Sequence, residues 1–169
     1  MPLDSSAKVV GPRLLNSSQW GFICPIDTPD GGNIGLHKHL AISTYITSGS
    51  SGIPIIKWIR GNTPLRLILE CGPEQISNSS KVFVNGSWIG VTDEPIELVN
   101  LLKLYRRNGV LPVYTSLSFD IEHNEVYIYT DSGRLTRPIY YVSNNKLSYE
   151  RGPIIKELEK GTITWEQII

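Results

Sequence analysis

The residues best suited to chemistry lie in one run, which reads Cys24-Pro25-Ile26-Asp27-Thr28-Pro29-Asp30-Gly31-Gly32-Asn33-Ile34-Gly35-Leu36. Asp27 and Asp30 are three residues apart in this run. Paired carboxylates can transfer protons or hold a divalent cation. Aspartate beside proline or glycine is also ordinary turn chemistry. The spacing therefore favours a turn and leaves acid–base or metal chemistry as the alternative.

Other side chains near this run give weaker signals. Its glycines could present backbone N–H groups to a phosphate, but the Lys-Ser/Thr ending of a P-loop and the dinucleotide fingerprint are both missing. Cys24, His37 and His39 are too few for a four-ligand zinc site. Aromatic residues on strands can stack nucleic-acid bases, although on half-buried strands they usually pack; those considered are Tyr127, Tyr129, Tyr140 and Tyr141. The residue types alone predict no catalytic residue and no metal ligand.

The density of proline and glycine excludes a helix in this run. We expect an extended segment that ends in tight turns, with residues 30–33 supplying positive φ angles. For residues 36–45 a short helix and a strand both remain open. The sequence Ser48-Gly49-Ser50-Ser51-Gly52 then marks a boundary.

The rest of the chain has clearer periodicity. Residues 53–60 read as an edge strand because Pro54 interrupts an apolar run, and residues 61–80 read as irregular. Asn85-Gly86 lies between two apolar runs, 81–84 and 87–91, which predicts a β-hairpin.

A helix is predicted next, with Thr92 or Asp93 as its N-cap and Asn108-Gly109 at its end. Its apolar stripe consists of Leu98, Leu101, Leu102 and Tyr105. Strands are predicted over 117–121, 126–130 and 135–142, with short helices over 154–160 and after Thr164. The expected fold class is α+β: an irregular Pro/Gly-rich segment followed by a small β-hairpin–helix–β-meander domain.

Composition limits the function classes. The 169 residues include 16 basic and 16 acidic side chains, so the net charge is zero. Binding to nucleic acid normally needs a basic excess, so we expect weak DNA affinity from this chain alone. No stretch approaches the roughly 18 apolar residues of a membrane span, and two cysteines do not make a disulfide framework. The apolar ending Trp165-Glu166-Gln167-Ile168-Ile169 suggests a piece of a longer protein.

The run from Trp20 to Leu36 resembles a signature of the second-largest subunit of multisubunit DNA-directed RNA polymerases, which is the β subunit in bacteria. Residues 82–91 resemble the opening of the external 2 domain of the eukaryotic, archaeal and viral type. Residues 106–109 and 127–138 continue that resemblance in the same order. Agreement in order and spacing extends from Gly11 to Trp165.

The resemblance implies a domain organisation. Residues 1–48 would be the C-terminal part of the fork domain (domain 3), and 49–143 the external 2 domain (domain 4). Residues 144–169 would be the end of external 2 and the start of the next domain (domain 5). The Pro/Gly-rich segment would then belong to the polymerase core, and the α+β unit to a peripheral lobe.

The resemblance also implies roles for residues. The segment would line the main channel beside the RNA–DNA hybrid. Asp30 and Asn33 would contact nucleic acid or nearby active-centre residues, Asp27 would be a supporting carboxylate, and Arg13 a candidate phosphate contact. Asp27 and Asp30 stand where the family usually has glutamate, so their reach is about 1.5 Å shorter. His37 replaces an often apolar residue at the border of the rifamycin pocket of bacterial relatives.

No cofactor is expected in this chain, because in the family Mg²⁺ is held by aspartates of the largest subunit. The implied partners are the largest subunit, the other polymerase subunits, template DNA and product RNA, with no membrane. The location would be intracellular: the nucleus for a nuclear enzyme, and the host cytoplasm or virion for a viral one. The glycine-rich run with its histidines is similar to polymerases of large DNA viruses.

Two readings compete with the polymerase. One is a free-standing α+β interaction module with no catalytic role. The other is a small metal-dependent hydrolase that uses Asp27, Asp30 and a histidine. The polymerase reading predicts that this chain alone is inactive.

Overall fold

The computed structural model describes residues 9–150 and 152–169; the first eight residues of the predicted segment 1–48 lie outside this range. The chain divides into two compact units. Unit 1 contains the residues up to 46 together with 134–138, and unit 2 contains 47–133 and 139–169.

Helices and strands alternate irregularly along the chain. The α-helices are α1 (Ile53–Asn62), α2 (Pro73–Asn78), α3 (Pro95–Arg107) and α4 (Ile154–Glu159). The strands are β1 (Tyr45–Ile46), β2 (Ser80–Val84), β3 (Ser87–Thr92), β4 (Ser116–Asp120), β5 (Glu125–Tyr129), β6 (Leu135–Thr136), β7 (Val142–Ser143) and β8 (Lys146–Leu147). This composition confirms the predicted α+β class.

Unit 1 consists mainly of turns. Short 3₁₀ helices cover Gly11–Arg13, Ser17–Gln19 and Gly31–Asn33. Strands β1 and β6 pair antiparallel. In the segment 36–45, which the sequence left open, there is one isolated antiparallel bridge, between Ile23 and Leu40, and β1 begins only at Tyr45.

Unit 2 is built around a four-stranded sheet of order β3-β2-β5-β4. The central strands β2 and β5 run parallel, and each is joined to an outer strand by an antiparallel hairpin. The apolar side chains of the sheet form one cluster with α1 and α3; its most buried members are Ile59, Val82, Val84, Leu102, Val126 and Ile128. Burial of such side chains is the main stabilising term of the unit.

The local turn and helix signals are confirmed. Asn85 and Gly86 both have positive φ, +48° and +79°, and close the β2–β3 hairpin. Helix α3 buries Leu98 and Leu102 as the stripe predicted. The predicted N-cap was wrong: Glu94 holds that position without a side-chain cap, although Thr92 Oγ1 accepts a hydrogen bond from the Glu94 N–H at 3.2 Å.

The predicted edge strand over 53–60 was wrong, because these residues form α1. Pro54 lies in the first turn of that helix, where its missing N–H costs no hydrogen bond. Ile55 and Ile59 are four residues apart, so both point into the core. The segment 61–80 was also more regular than expected, since it contains α2.

The third strand of the predicted meander, 135–142, was also wrong. The range holds the two-residue strand β6, which pairs with β1 rather than with the four-stranded sheet, and ends at the first residue of β7. Pro138 lacks a backbone donor and cannot continue a ladder there. The observed sheet is therefore two hairpins joined by a parallel pair, not a meander.

In the C-terminal part, α4 agrees with the short helix predicted over 154–160. The helix predicted after Thr164 is a 3₁₀ turn, Trp165–Gln167. Both cysteines, Cys24 and Cys71, are free and half-buried. In the described ranges, no helix combines the length and apolar character that a membrane crossing requires.

Candidate functional site

The side chain of Arg13 forms hydrogen bonds with the backbone of the Pro/Gly loop, which is the name used for residues 24–36. One guanidinium nitrogen, Nη1, donates to the carbonyl oxygens of Gly32 and Ile34, each at 2.8 Å. Gly35 has a φ of +73° and passes so close that a Cβ there would lie 2.4 Å from the Arg13 carbonyl oxygen. Only glycine meets both the conformation and the space at this position.

Two further side chains fasten the loop from within unit 1. Lys38 Nζ donates to the carbonyl oxygens of Pro12 at 2.8 Å and Gly35 at 2.5 Å. Thr28 Oγ1 accepts a hydrogen bond from the Gly35 N–H at 2.8 Å and donates to the His37 carbonyl at 3.1 Å. The loop backbone is thus bonded to side chains that approach from both of its flanks.

The two ends of the loop are closed by backbone pairing. The Cys24 N–H donates to the His39 carbonyl, and the Ala41 N–H donates to the Phe22 carbonyl, each at 2.8 Å. Thr44 Oγ1 also donates to the Phe22 carbonyl at 2.8 Å. These bonds hold the two ends of the loop close together, as in a compact surface loop with neighbouring ends.

The predicted site residues occupy different parts of this loop. Asp30 and Asn33 are exposed at the two ends of the 3₁₀ turn, and Asp30 Oδ1 accepts a hydrogen bond from the Gly31 N–H at 2.8 Å. Asp27 lies apart from them, with its Oδ2 3.9 Å from His39 Nδ1. Arg13 binds loop carbonyls. The structure therefore brings Asp30, Asn33 and Arg13 to one turn and places Asp27 beside a histidine.

The loop does not fit a metal centre. Within the parts of the chain that the structure describes, no three histidine, cysteine, aspartate or glutamate side chains are grouped to hold an ion. The Cys24 sulfur accepts a hydrogen bond from the Asp27 N–H at 3.4 Å. No catalytic step is assigned to these residues.

Of the four tyrosines considered for base stacking, Tyr127 and Tyr129 lie on β5 and stack, whereas Tyr140 and Tyr141 lie outside the strands. Tyr127 stacks with Phe83 at a centroid distance of 5.4 Å and with Tyr129 at 6.0 Å. The Tyr127 hydroxyl donates to the Glu125 carboxylate, which raises the pKa of Tyr127 to about 12. Lys81 Nζ lies 3.0 Å from the same carboxylate. Ring faces that are already paired offer little surface to a base, so packing is the favoured interpretation.

Sequence reasoning missed Thr28 and Lys38 as parts of the site. Thr28 lies inside the Asp-Thr-Pro sequence of the loop, but the sequence did not predict its hydrogen bonds. The contacts of Lys38 with Pro12 and of Arg13 with Gly32 span 26 and 19 residues of chain. Contacts over such separations have no local sequence signal.

Comparison with known proteins identifies the family. Residues 2–46 match the family model described as RNA polymerase Rpb2, domain 3, and residues 82–143 match RNA polymerase Rpb2, domain 4. The DNA-directed RNA polymerase II subunit RPB2 of Encephalitozoon cuniculi is 33% identical over 99% of this chain. That of Schizosaccharomyces pombe is 36% identical over 90%, and the DNA-directed RNA polymerase subunit 2 of Acanthamoeba polyphaga mimivirus is 33% identical over 98%.

The chain spans only 14%, 13% and 14% of the length of these three relatives. The two family matches follow one another in the chain in the order that their domain numbers give. They confirm the resemblance carried by the loop and by the hairpin that contains Asn85-Gly86. The chain belongs to the family of second-largest subunits of DNA-directed RNA polymerases, of which it is a segment with domain 3 and domain 4 sequence.

Proposed function

We propose that this chain contributes a rigid wall to the active centre of a DNA-directed RNA polymerase and that its Pro/Gly loop faces the RNA–DNA hybrid. The domain 3 match covers the loop. The observation that carries the proposal is the loop itself: its backbone is bonded to Arg13, Thr28 and Lys38, while Asp30 and Asn33 remain exposed. A fixed backbone with outward polar side chains suits the positioning of a ligand.

Nucleotidyl transfer would belong to the whole enzyme. Mg²⁺ stabilises charge on the reacting phosphates in such reactions, and the family resemblance implies that the largest subunit holds it. Asp30 and Asn33 would act by holding nucleic acid or neighbouring active-centre groups. Arg13, whose guanidinium binds two loop carbonyls, would act as a positioning residue.

The partners and location follow from the same proposal. The chain would assemble with the largest subunit and the other polymerase subunits, and with template DNA and product RNA. It would be intracellular, in the nucleus for a nuclear polymerase or in the host cytoplasm and virion for a viral one. The relatives named above include both a viral polymerase and RNA polymerase II subunits. The alternative of a free-standing interaction module has no support from these comparisons.

Removing the Asp30 side chain tests the wall proposal. In the assembled polymerase that contains this chain, we expect Asp30→Ala and Asn33→Ala each to slow nucleotide addition roughly three- to tenfold, which corresponds to about 0.7–1.4 kcal/mol of lost positioning. Glu122→Ala is the matched control, since Glu122 is exposed in the β4–β5 turn and should leave the rate unchanged. The rate is measured by single-nucleotide extension of a preassembled RNA–DNA scaffold.

Asp30→Asn separates contact from turn formation. Asparagine still offers an acceptor to the Gly31 N–H but carries no charge. If Asp30 contacts the active centre through its charge, this variant should be as slow as Asp30→Ala. A wild-type rate for Asp30→Asn would contradict a contact that depends on the charge of Asp30.

The isolated chain is expected to polymerise nothing. With template, primer RNA, nucleotides and Mg²⁺, the 169-residue chain should incorporate no labelled nucleotide above the level of a protein-free control. Template-dependent incorporation by the purified chain, retained after repurification, would contradict the assignment of the metal chemistry to another subunit.

A further inference from the structure

A cavity of about 590 Å³ opens at the C-terminal half of α3 in unit 2. Its volume is within the range of pockets that hold small ligands or single side chains with their backbone. The polar groups that line it are Asn100, Lys103, Arg107, Asn108, Tyr141 and Gln167. Among the described residues that line it, two are cations and none is an acid.

Among the described residues of unit 2, neither cation of the cavity has an acidic partner. Lys103 and Arg107 are four residues apart on α3, an arrangement in which like charges repel, and neither belongs to an ion pair of the described residues. Burial, with Arg106 and Arg107 nearby, lowers the pKa of Lys103. The negative end of the helix dipole accounts for arginines in the last turn of α3, but Lys103 lies one turn before it.

The Nε–H of Arg107 also lacks a hydrogen-bond acceptor among the described residues. Its guanidinium lies 3.8 Å from the centroid of the Tyr141 ring, so stacking on the ring sets its orientation. In that orientation its Nε is shielded from solvent and has no acceptor among the described residues. Buried donors are normally paired. Within the described residues, the guanidinium of Arg107 therefore keeps an unused hydrogen-bond donor beside the cavity.

We propose that this cavity binds an acidic side chain presented by an extended segment of a partner protein. A carboxylate supplies the missing counter-charge for Lys103 and an acceptor for Arg107, with which it can form a two-bond fork. The amides of Asn100, Asn108 and Gln167 can each donate and accept, and they match the main-chain groups of a peptide on either side of the acid.

Nucleic acid fits this cavity less well than a peptide. Binding to a phosphate backbone uses a basic track of many residues, whereas this site has two lining cations in a chain of zero net charge. The cavity is bordered by amides rather than by further lysines and arginines. The cavity therefore suits a single carboxylate of a peptide better than a row of phosphates.

The test uses the 169-residue chain and a blocked peptide, acetyl-Gly-Glu-Glu-Glu-Glu-Gly-amide, with the corresponding glutamine peptide as its neutral counterpart. We expect the acidic peptide to shift the Nε–H resonance of Arg107 in a ¹⁵N NMR titration, and the glutamine peptide to leave it in place. Arg107→Gln should weaken binding about tenfold, and Arg107→Lys should weaken it less, because charge is kept and only the planar fork is lost.

Two further variants, Lys103→Gln and Arg60→Gln, and a comparison with oligonucleotide and phosphate complete the test. Lys103→Gln removes a charge whose loss leaves the Tyr141 stack intact, so it reports on binding even if Arg107→Gln disturbs the fold; we expect weaker binding from it too. Arg60→Gln, an exposed cation on α1, should bind like the wild type. The proposal is overturned if Arg60→Gln weakens binding as much as Lys103→Gln, if the peptide leaves Arg107 unshifted, or if single-stranded oligonucleotide or inorganic phosphate binds more tightly than the peptide.

Discussion

Gly35→Ala is expected to unfold the Pro/Gly loop of unit 1. A left-handed φ costs an alanine about 1–2 kcal/mol, and its Cβ would stand 2.4 Å from the Arg13 carbonyl oxygen. Forced displacement of a packed neighbour adds about 1–3 kcal/mol, so the total is roughly 2–5 kcal/mol. Amide hydrogen exchange measures the effect directly, because the amide of residue 35 donates to Thr28 and should lose its protection.

Gly31→Ala is the matched control for this change. Gly31 has a φ of +74°, nearly that of Gly35, but an added Cβ meets no atom within 4 Å. It should therefore cost only the conformational part, about 1–2 kcal/mol. Equal destabilisation by the two variants would show that backbone conformation alone matters, and that the close approach of Arg13 to Gly35 adds no steric cost.

Leu102→Ala is expected to have the largest effect in unit 2. Leu102 is 1% exposed within the cluster that α1 and α3 form with the sheet. Removing a buried leucine leaves a cavity and costs about 2–5 kcal/mol. Urea unfolding followed by tryptophan fluorescence measures this loss, since Trp58 packs edge-on against Tyr105 of the same helix at 4.9 Å.

Leu104→Ala serves as the control on the same helix. Leu104 is 49% exposed, so its truncation removes little buried surface and leaves helix propensity nearly unchanged. We expect a change of less than about 1 kcal/mol. A loss similar to that of Leu102→Ala would contradict the assignment of the core to one face of α3.

The local features of the fold were predictable because local rules decide them. Asn85-Gly86 forms a tight turn wherever two strands flank it, and its positive φ angles follow from the residue types. The spacing of Leu98 and Leu102 needs only the helical period to define the buried face of α3. The same kind of reasoning gave the α+β class.

The errors arose where tertiary contacts override a local pattern. Residues 53–60 carry isoleucines that suit a strand, and Pro54 is compatible with both an edge strand and a first helical turn. Burial of Ile55 and Ile59 against the sheet decides in favour of the helix. Likewise, nothing local indicated that Leu135 would pair with Ile46, 89 positions earlier in the chain.

The candidate site was predictable only in part. The prolines and glycines predicted a stiff loop. The family resemblance implied that Asp30 and Asn33 contact nucleic acid or nearby active-centre residues. The supports of the loop were not visible, because the side chains of Arg13 and Lys38 reach main-chain oxygens over long separations. A carbonyl acceptor is present at every residue, so the sequence cannot show which one a distant side chain will choose.

The parallel pairing of β2 with β5 has a consequence for synthesis on the ribosome. Lys81 pairs with Glu125, so β2 can form its hairpin with β3 some 30 residues of translation before its second neighbour exists. During that interval the nascent hairpin presents an unpaired edge, which is a template for aggregation. A nascent chain from which β2 and β3 but not β5 have emerged would therefore expose this edge to chaperones, and a chain from which β5 has also emerged would not.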